Sequence, residues 1–170
     1  MIVDLVTIKD ANASFDFTIE PNEIDLDAEA VKLKTAVRVE AKIKKGIVQT
    51  DAAGRIETVA EVECLRCLQP VEKPLDIRFG AAFVTAENYT QAAEAKLDEQ
   101  DLDVSIFEGD RIDLTELVRE QILLALDEQT FCREDCKGLC QKCSRNRNLI
   151  DCNCDEKEVD PRWAALKNLS

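Results

Sequence analysis

Residues 31–43 read VKLKTAVRVEAKI, a run in which apolar and charged side chains alternate. Alternation with a period of two residues is typical of a β-strand with one face buried and the other in water. The apolar face comprises Val31, Leu33, Val37, Val39, Ala41 and Ile43, and the outward face comprises Lys32, Lys34, Arg38, Glu40 and Lys42. This stretch predicts a half-buried strand as the first main element of a sheet.

The same alternation occurs twice more downstream. After a polar connection that extends from Lys44 through Gly54, residues 56–64 read IETVAEVEC, and a third strand is expected after Pro70. The inward residues are Ile56, Thr58, Ala60, Val62 and Cys64 in the second strand and Val71, Leu75, Ile77 and Phe79 in the third. With short strands expected within residues 1–8 and 15–19, residues 1–85 are predicted to form an antiparallel β body joined as a meander.

Residues 86–111 are predicted to be an acidic flexible linker or loop. Between Ala86 and Asp110 the only basic residue is Lys96, against the acids Glu87, Glu94, Asp98, Glu99, Asp101, Asp103, Glu108 and Asp110. A segment with this charge buries too little apolar surface to offset the entropy of ordering it.

An amphipathic helix is predicted within residues 112–130. Asp113 suits the N-cap and Glu116 completes a capping-box-like start. The apolar face carries Leu114, Leu117, Val118, Ile122 and Ala125, and we expect it to lie across the sheet and close its core. In the tail, residues 131–170, Asp160 and Pro161 suit the start of a short C-terminal helix that would pack Trp163 against the body. The predicted fold class is therefore α+β.

Composition limits the functions that the chain can perform. The 170 residues contain 22 basic and 35 acidic side chains, a net charge of −13, which has the wrong sign for a protein that coats nucleic acid with its whole surface. The chain has no histidine, so the commonest general base is missing and an enzyme is not expected. Neither a membrane span nor a signal peptide is recognisable, and we expect a cytoplasmic protein without a membrane partner or small-molecule substrate.

Eight cysteines are the strongest functional signal in the chain. Cys64 and Cys67 form one CxxC motif, and the tail contains Cys132, Cys136, Cys140, Cys143, Cys152 and Cys154. The cytosol keeps thiols reduced, so we expect metal and not disulfides, with zinc ions each held by four thiolates. An iron-sulfur cluster is the competing cofactor, because four cysteines ligate it as well.

The spacing leaves two partitions of the cysteines open. In the first, Cys140, Cys143, Cys152 and Cys154 hold one ion, and Cys64, Cys67, Cys132 and Cys136 hold the other. In the second, Cys64 and Cys67 join Cys140 and Cys143, which leaves Cys132, Cys136, Cys152 and Cys154 together. In either partition, the two residues between the cysteines of a CxxC motif allow a tight turn whose backbone N–H groups donate to the sulfurs.

Four segments in this order resemble the YceD family, the family of the large ribosomal RNA subunit accumulation protein. They are ECLRC at 63–67, DLTELVREQILLAL at 113–126, CREDCKGLC at 132–140 and DPRWAALKNL at 160–169, and the tail is most similar to the cyanobacterial and plastid branch. The resemblance implies a non-enzymatic factor needed for accumulation of 23S ribosomal RNA. Similar members commonly have Pro after Cys140 and Gly after Cys143, where this chain has Gln141 and Ser144.

Two kinds of partner fit this resemblance. The acidic residues 86–110 are expected to bind a basic ribosomal protein or a large-subunit assembly intermediate. A local contact with ribosomal RNA is expected from the basic tail residues Lys137, Lys142, Arg145 and Arg147. The outward bases of the first strand, in contrast, are expected to pair across strands with Glu57, Glu61 and Glu63.

Overall fold

The computed structural model describes residues 1–8, 10–27, 30–86, 88–89, 104–107, 110–127 and 129–154. Its strands are β1 (Ile2–Asp4), β2 (Asn12–Ile19), β3 (Val31–Leu33), β4 (Val37–Lys45), β5 (Gln49–Glu63), β6 (Pro70–Thr85), β7 (Val104–Phe107) and β8 (Arg111–Asp113). A 3-10 turn spans Pro21–Glu23, and helix α1 spans Leu114–Ala125. These elements form an α+β fold that is mostly sheet.

The main sheet has the strand order β2-β4-β5-β6-β7, and β3 pairs with β5 beyond the end of β4. The pairings among β2 to β6 are antiparallel, as the alternation predicts, and the long hairpin of β5 and β6 forms the centre. Strand β7 pairs parallel to β6, while β1 and β8 form a separate antiparallel pair. The segment predicted as a loop, residues 86–111, thus contributes β7 and the start of β8, and its remaining acids lie largely outside the described residues.

The stretch 31–43 forms two strands instead of the single strand predicted. Lys32 pairs with Glu61 and Arg38 pairs with Glu57. An advance of six residues from β3 to β4 therefore corresponds to an advance of only four residues along β5, which leaves two additional residues between β3 and β4. Thr35 sits in this interruption, where its hydroxyl accepts from the Val59 N–H at 3.0 Å. Because the excess is an even number of residues, β3 and β4 keep their apolar side chains on the same face.

Strand β5 also begins earlier than predicted. The polar connection expected through Gly54 is only a tight turn, in which the Gly46 N–H donates to Gln49 O at 2.9 Å. A Cβ at Gly54 would lie 2.0 Å from Glu40 O and 2.9 Å from the Phe79 ring. Gly54 is therefore a point of close approach within the sheet, whereas the sequence pattern suggested a loop.

Helix α1 shares the core with the sheet. The Asp113 side chain accepts from the Thr115 N–H at 2.9 Å and from the Glu116 N–H at 3.4 Å, which confirms the predicted cap. Its buried residues belong to the same cluster as the inward residues of β4 and β5, and they are Leu114, Leu117, Val118 and Ile122. Among the described residues, no helix has the length and apolarity needed to span a membrane. The predicted C-terminal helix and Trp163 lie outside the described residues.

Candidate metal centres

The turn between β5 and β6, which we call knuckle 1 (residues 64–69), aims two thiols in one direction. The Cys64 N–H donates to Gln69 O at 2.9 Å, and the Leu68 N–H donates to Cys64 O at 2.8 Å. Leu68 has a φ of 57°, the left-handed conformation that reverses the chain tightly. Cys64 and Cys67 are 0% and 4% exposed, so the knuckle holds both sulfurs in the protein interior.

The chain that follows α1 runs against knuckle 1 and completes a set of four thiols, which we call site 1. The Leu65 N–H donates to Thr130 O at 2.9 Å. The sulfur of Cys136 then lies 3.9 Å from that of Cys64, and the sulfur of Cys132 lies 3.6 Å from that of Cys67. Four sulfurs at about 2.3 Å from one tetrahedral ion would be separated by about 3.8 Å. The geometry therefore suits a single ion, and the distances are too long for disulfides.

A second turn, knuckle 2 (residues 140–145), repeats the backbone pattern of knuckle 1. The Cys140 N–H donates to Arg145 O at 2.9 Å, and the Ser144 N–H donates to Cys140 O at 2.8 Å. Ser144 has a φ of 55°, so serine occupies the left-handed position where glycine is common in similar proteins. The sulfurs of Cys140, Cys143, Cys152 and Cys154 lie within 4.8 Å of one another, and we call this group site 2.

The structure therefore groups the cysteines as in the first of the two partitions and not as in the crossed alternative. Each group of four can hold a metal ion. All eight residues are free cysteines, with no disulfide between them.

Backbone dipoles favour a thiolate at the first cysteine of each knuckle. Burial acts to raise the pKa of Cys64, but N–H donation from Cys132, Cys67 and Arg66 lowers it to about 6. N–H donation from Cys143 and Lys142 likewise lowers the pKa of Cys140 to about 6. Metal binding would require the remaining thiols to lose their protons as well, so affinity should depend on pH.

Other cysteines in the same groups are held in the thiol form. Desolvation, together with the neighbouring sulfur of Cys136, raises the pKa of Cys132 to about 12. The sulfur of Cys143, together with desolvation, raises the pKa of Cys154 to about 12. Four thiolates crowded together repel one another, so a cation is the natural partner for each group.

Arg66, inside knuckle 1, fastens the tail to site 1. Its guanidinium donates to the carbonyl oxygens of Glu134 at 3.2 Å and Cys136 at 3.1 Å, and it lies 4.4 Å from the centre of the Phe131 ring. Gly138 passes close by with a φ of 71°, and a Cβ there would lie 2.9 Å from Arg66 O. Sequence reasoning missed both residues, although the arginine within the CxxC and the glycine within the tail motif were visible signals.

The four basic tail residues lie in different surroundings. Lys142 and Arg145 are exposed on knuckle 2 and have no ion-pair partner in the part of the chain that the structure describes. Lys137 is also exposed, but its Nζ lies 4.0 Å from a carboxylate oxygen of Asp151, and Arg147 is half-buried.

The cross-strand pairing predicted for the basic row of the sheet is confirmed for two of its members. Lys34 Nζ lies 3.0 Å from Glu61 Oε2, and Arg38 Nη1 lies 4.0 Å from Glu57 Oε2. Lys34 and Arg38 are therefore engaged within the sheet.

Comparison with known proteins links the chain to one family. The family model described as Large ribosomal RNA subunit accumulation protein YceD matches residues 52–170. The chain is 31% identical over 156 residues to Uncharacterized protein YlbN of Bacillus subtilis, covering 91% of this chain and 86% of that one. It is 29% identical over 130 residues to Uncharacterized protein Mb2951c of Mycobacterium bovis, covering 76% of this chain and 58% of that protein.

A plant relative carries a functional description. The chain is 27% identical over 137 residues to Large ribosomal RNA subunit accumulation protein YCED homolog 1, chloroplastic, of Arabidopsis thaliana, covering 68% of this chain and 43% of that protein. The chain thus spans less than two thirds of the mycobacterial and plant relatives. No solved structure matches.

Proposed function

Because the chain belongs to the YceD family, described as large ribosomal RNA subunit accumulation proteins, we propose that it is a non-enzymatic ribosome-biogenesis factor supporting 23S ribosomal RNA accumulation. The observation that carries this proposal is the family match over residues 52–170, a range that includes all eight cysteines. We place its action in the cytoplasm, where reducing conditions keep these thiols available for metal.

The metal proposed for both sites is zinc. Zinc in structural sites prefers four thiolates in a tetrahedron, and the sulfur separations of 3.6 and 3.9 Å in site 1 suit one ion. An iron-sulfur cluster would place several inorganic atoms among the four sulfurs and spread them further apart. With four protein ligands, each site has no open position for a substrate or catalytic water, which supports a structural role.

Metal counting tests this proposal directly. Protein purified without oxygen is expected to contain two zinc ions per chain and to be colourless. The variants Cys67→Ser and Cys143→Ser, each of which removes one ligand from one group, are each expected to lose the zinc of that group. A brown protein that contains iron would contradict the assignment of zinc.

For the partner, we favour a basic ribosomal protein bound through acidic surface. Residues 129–154 contain five basic and three acidic side chains, so the remaining residues, with 17 basic and 32 acidic side chains, carry all of the chain's excess negative charge. A strongly acidic surface attracts a basic ribosomal protein before that protein reaches RNA. The acids that we expect to contribute most are Glu94, Asp98, Glu99, Asp101 and Asp103.

A second candidate is direct binding of ribosomal RNA through knuckle 2, favoured by Lys142 and Arg145, which are exposed and have no ion-pair partner among the described residues. The corresponding residues of knuckle 1 are Arg66 and Gln69. Arg66 already contacts the Phe131 ring and two carbonyl oxygens, and Gln69 is uncharged, so knuckle 1 offers no comparable pair of free cations among the described residues. Two cations on a rigid turn can bind neighbouring phosphates, with an affinity that falls as salt rises.

Pull-down from cells, with and without ribonuclease, separates the two candidates. If a ribosomal protein is the partner, it is retained after ribonuclease treatment and lost when the five acids of residues 94–103 become Asn or Gln. If RNA is the partner, recovery of 23S RNA falls with Lys142→Glu and Arg145→Glu but not with the exposed control Lys44→Glu. A normal ratio of 23S to 16S RNA in cells that lack the protein would contradict the function itself.

A further inference from the structure

We propose that Asn148 couples the two candidate metal sites, so that metal in site 2 strengthens the binding of metal in site 1. The inference rests on the proposed occupation of both groups by zinc, and it assigns a positioning role to a residue that is not a ligand. Its basis is that Asn148 belongs to the loop closed by site 2 but contacts a sulfur of site 1.

The contact with site 1 is direct. Asn148 Nδ2 donates to the sulfur of Cys136 at 3.2 Å, and Cys136 is 4% exposed. An N–H donor disperses part of the negative charge that four thiolates bring to one ion. Asn148 is therefore an outer partner of site 1 although it lies 12 residues beyond Cys136.

The orientation of the amide is fixed from its other end. Asn148 Oδ1 accepts from the Lys137 N–H at 2.8 Å and from Arg133 Nη2 at 2.7 Å. Because both partners are donors, the oxygen has to face them, and the NH2 group is left to face the sulfur. The same side chain thus links the two ends of the segment that carries Cys132 and Cys136.

The loop that carries Asn148 depends on site 2 for its closure. Its flanking ligands, Cys143 and Cys152, belong to the same group of four sulfurs. A metal ion at site 2 would join the two ends of the loop and remove conformations that the open loop could adopt. Without that ion, holding Asn148 against Cys136 costs more entropy.

The connection between the loop and site 1 is short and firmly bonded. The Arg147 N–H donates to Gly138 O at 2.9 Å, and Leu139 pairs with Asn146 as an isolated bridge. The Leu139 N–H in turn donates to Arg66 O of knuckle 1 at 3.0 Å. The segment between Cys136 and Cys140 therefore contacts both knuckle 1 and the loop that carries Asn148, which allows a change at site 2 to reach site 1.

Loss of a residue that hydrogen-bonds to a metal ligand typically weakens metal binding by about 10–100-fold. We expect loss of the Asn148 contact to weaken metal binding at site 1 by a factor in this range. Coupling between two binding equilibria is reciprocal, so loss of the site 1 ion should weaken site 2 by the same factor.

Three variants of the full-length protein separate the parts of this inference. Asn148→Asp keeps the oxygen that accepts from Lys137 and Arg133, but replaces the donor to Cys136 with a second acidic oxygen. Cys154→Ser removes a ligand from site 2 and leaves the four cysteines of site 1 unchanged. Leu149→Ala is the control, because Leu149 is the next residue and its side chain is 72% exposed.

The measurement is zinc affinity and release rate with a chromogenic chelator, with the phase lost in Cys64→Ser protein assigned to site 1. Asn148→Asp and Cys154→Ser are each expected to weaken site 1 by about 10–100-fold, and Leu149→Ala by less than about 2-fold. In the Cys154→Ser background, Asn148→Asp is expected to have a much smaller effect, since the loop no longer holds the amide in place.

Two results would overturn the coupling. One is an equal effect of Asn148→Asp with and without Cys154, which would make Asn148 a partner of site 1 that site 2 does not control. The other is an equally weakened site 1 in Leu149→Ala protein. Wild-type protein that binds no zinc at all would instead contradict the metal proposal, which the metal count measures before any variant is compared.

Discussion

Leu68 and Ser144 occupy the same place in two equivalent turns. Each lies four residues after the first cysteine of its knuckle, each donates its N–H to the carbonyl of that cysteine at 2.8 Å, and their φ angles are 57° and 55°. Neither residue is a glycine, although left-handed backbone favours glycine. The two knuckles therefore hold their sulfurs through backbone that has some conformational strain.

Replacing Ser144 with glycine should relieve that strain. For Ser144→Gly we expect the free energy of unfolding to rise by about 0.5–1 kcal/mol, the left-handed penalty less the entropy that glycine adds to the unfolded chain. Urea unfolding of protein in excess zinc measures the change. Ser14→Gly, in the extended strand β2, is the matched control and should lower the free energy of unfolding by about 0.5–1 kcal/mol. A decrease of similar size in both variants would contradict the account.

Gly138 should not tolerate a side chain. In Gly138→Ala the new Cβ would lie 2.9 Å from Arg66 O, on a residue with a φ of 71°. We therefore expect the free energy of unfolding to fall by about 1–3 kcal/mol and zinc to leave site 1 faster. Gly80→Ala is the control, because a Cβ at Gly80 meets nothing within 4 Å. That variant should be neutral or stabilised by up to about 1 kcal/mol. Equal zinc release from the two variants would mean that Gly138 has no special role.

Arginine at position 66 should not be replaceable by lysine. Lysine cannot stack a planar group on Phe131 while donating to the carbonyls of Glu134 and Cys136. We expect Arg66→Lys to lower the free energy of unfolding by about 1–2 kcal/mol and to make the tail more sensitive to protease. The control is Arg78→Lys on the exposed face of β6, which should change neither measurement. Protease resistance equal to that of wild type would show that the tail is anchored without Arg66.

The metal-free protein should ionise two thiols early. With pKa values lowered from 9.0 to about 6, Cys64 and Cys140 lose their protons in the folded state before they do so in the unfolded chain. They therefore contribute stability that is fully present above about pH 9 and lost as the pH falls through about 6. Cys132 and Cys154, whose pKa values are raised to about 12, oppose this only above pH 9.

Thiolate absorbance during a pH titration of reduced, metal-free protein tests the early ionisation. A first step near pH 6 is expected, and its amplitude should fall in the double variant of Cys64→Ser and Cys140→Ser, in which Cys136 is the remaining thiol with a lowered pKa. Urea-unfolded protein provides the reference, with ionisation close to pH 9. A folded protein that titrates like the unfolded reference would refute the assigned shifts.

Much of the fold was readable from local pattern. The inward face of residues 31–43 and 56–64, the cap at Asp113 and the buried face of α1 all agree with the alternation and the helical period. Local pattern failed where the chain departs from regular pairing. Two additional residues around Thr35 divide one predicted strand into two, and Gly54 signals close packing of neighbouring backbone where a loop was expected.

By itself, the sequence determined that this is an α+β chain with two CxxC motifs and the pattern of the YceD family, because torsion preference, burial and motif spacing are local properties. Only the tertiary structure decided which cysteines share a site and that Asn148 reaches Cys136. The sulfurs of Cys64 and Cys136 are 72 residues apart in the chain, and their contact depends on the β5–β6 turn, the course of α1 and the bonds of Arg66 acting together. Spacing allowed two partitions of the eight thiols, and packing around Arg66 and Gly138 selected one of them.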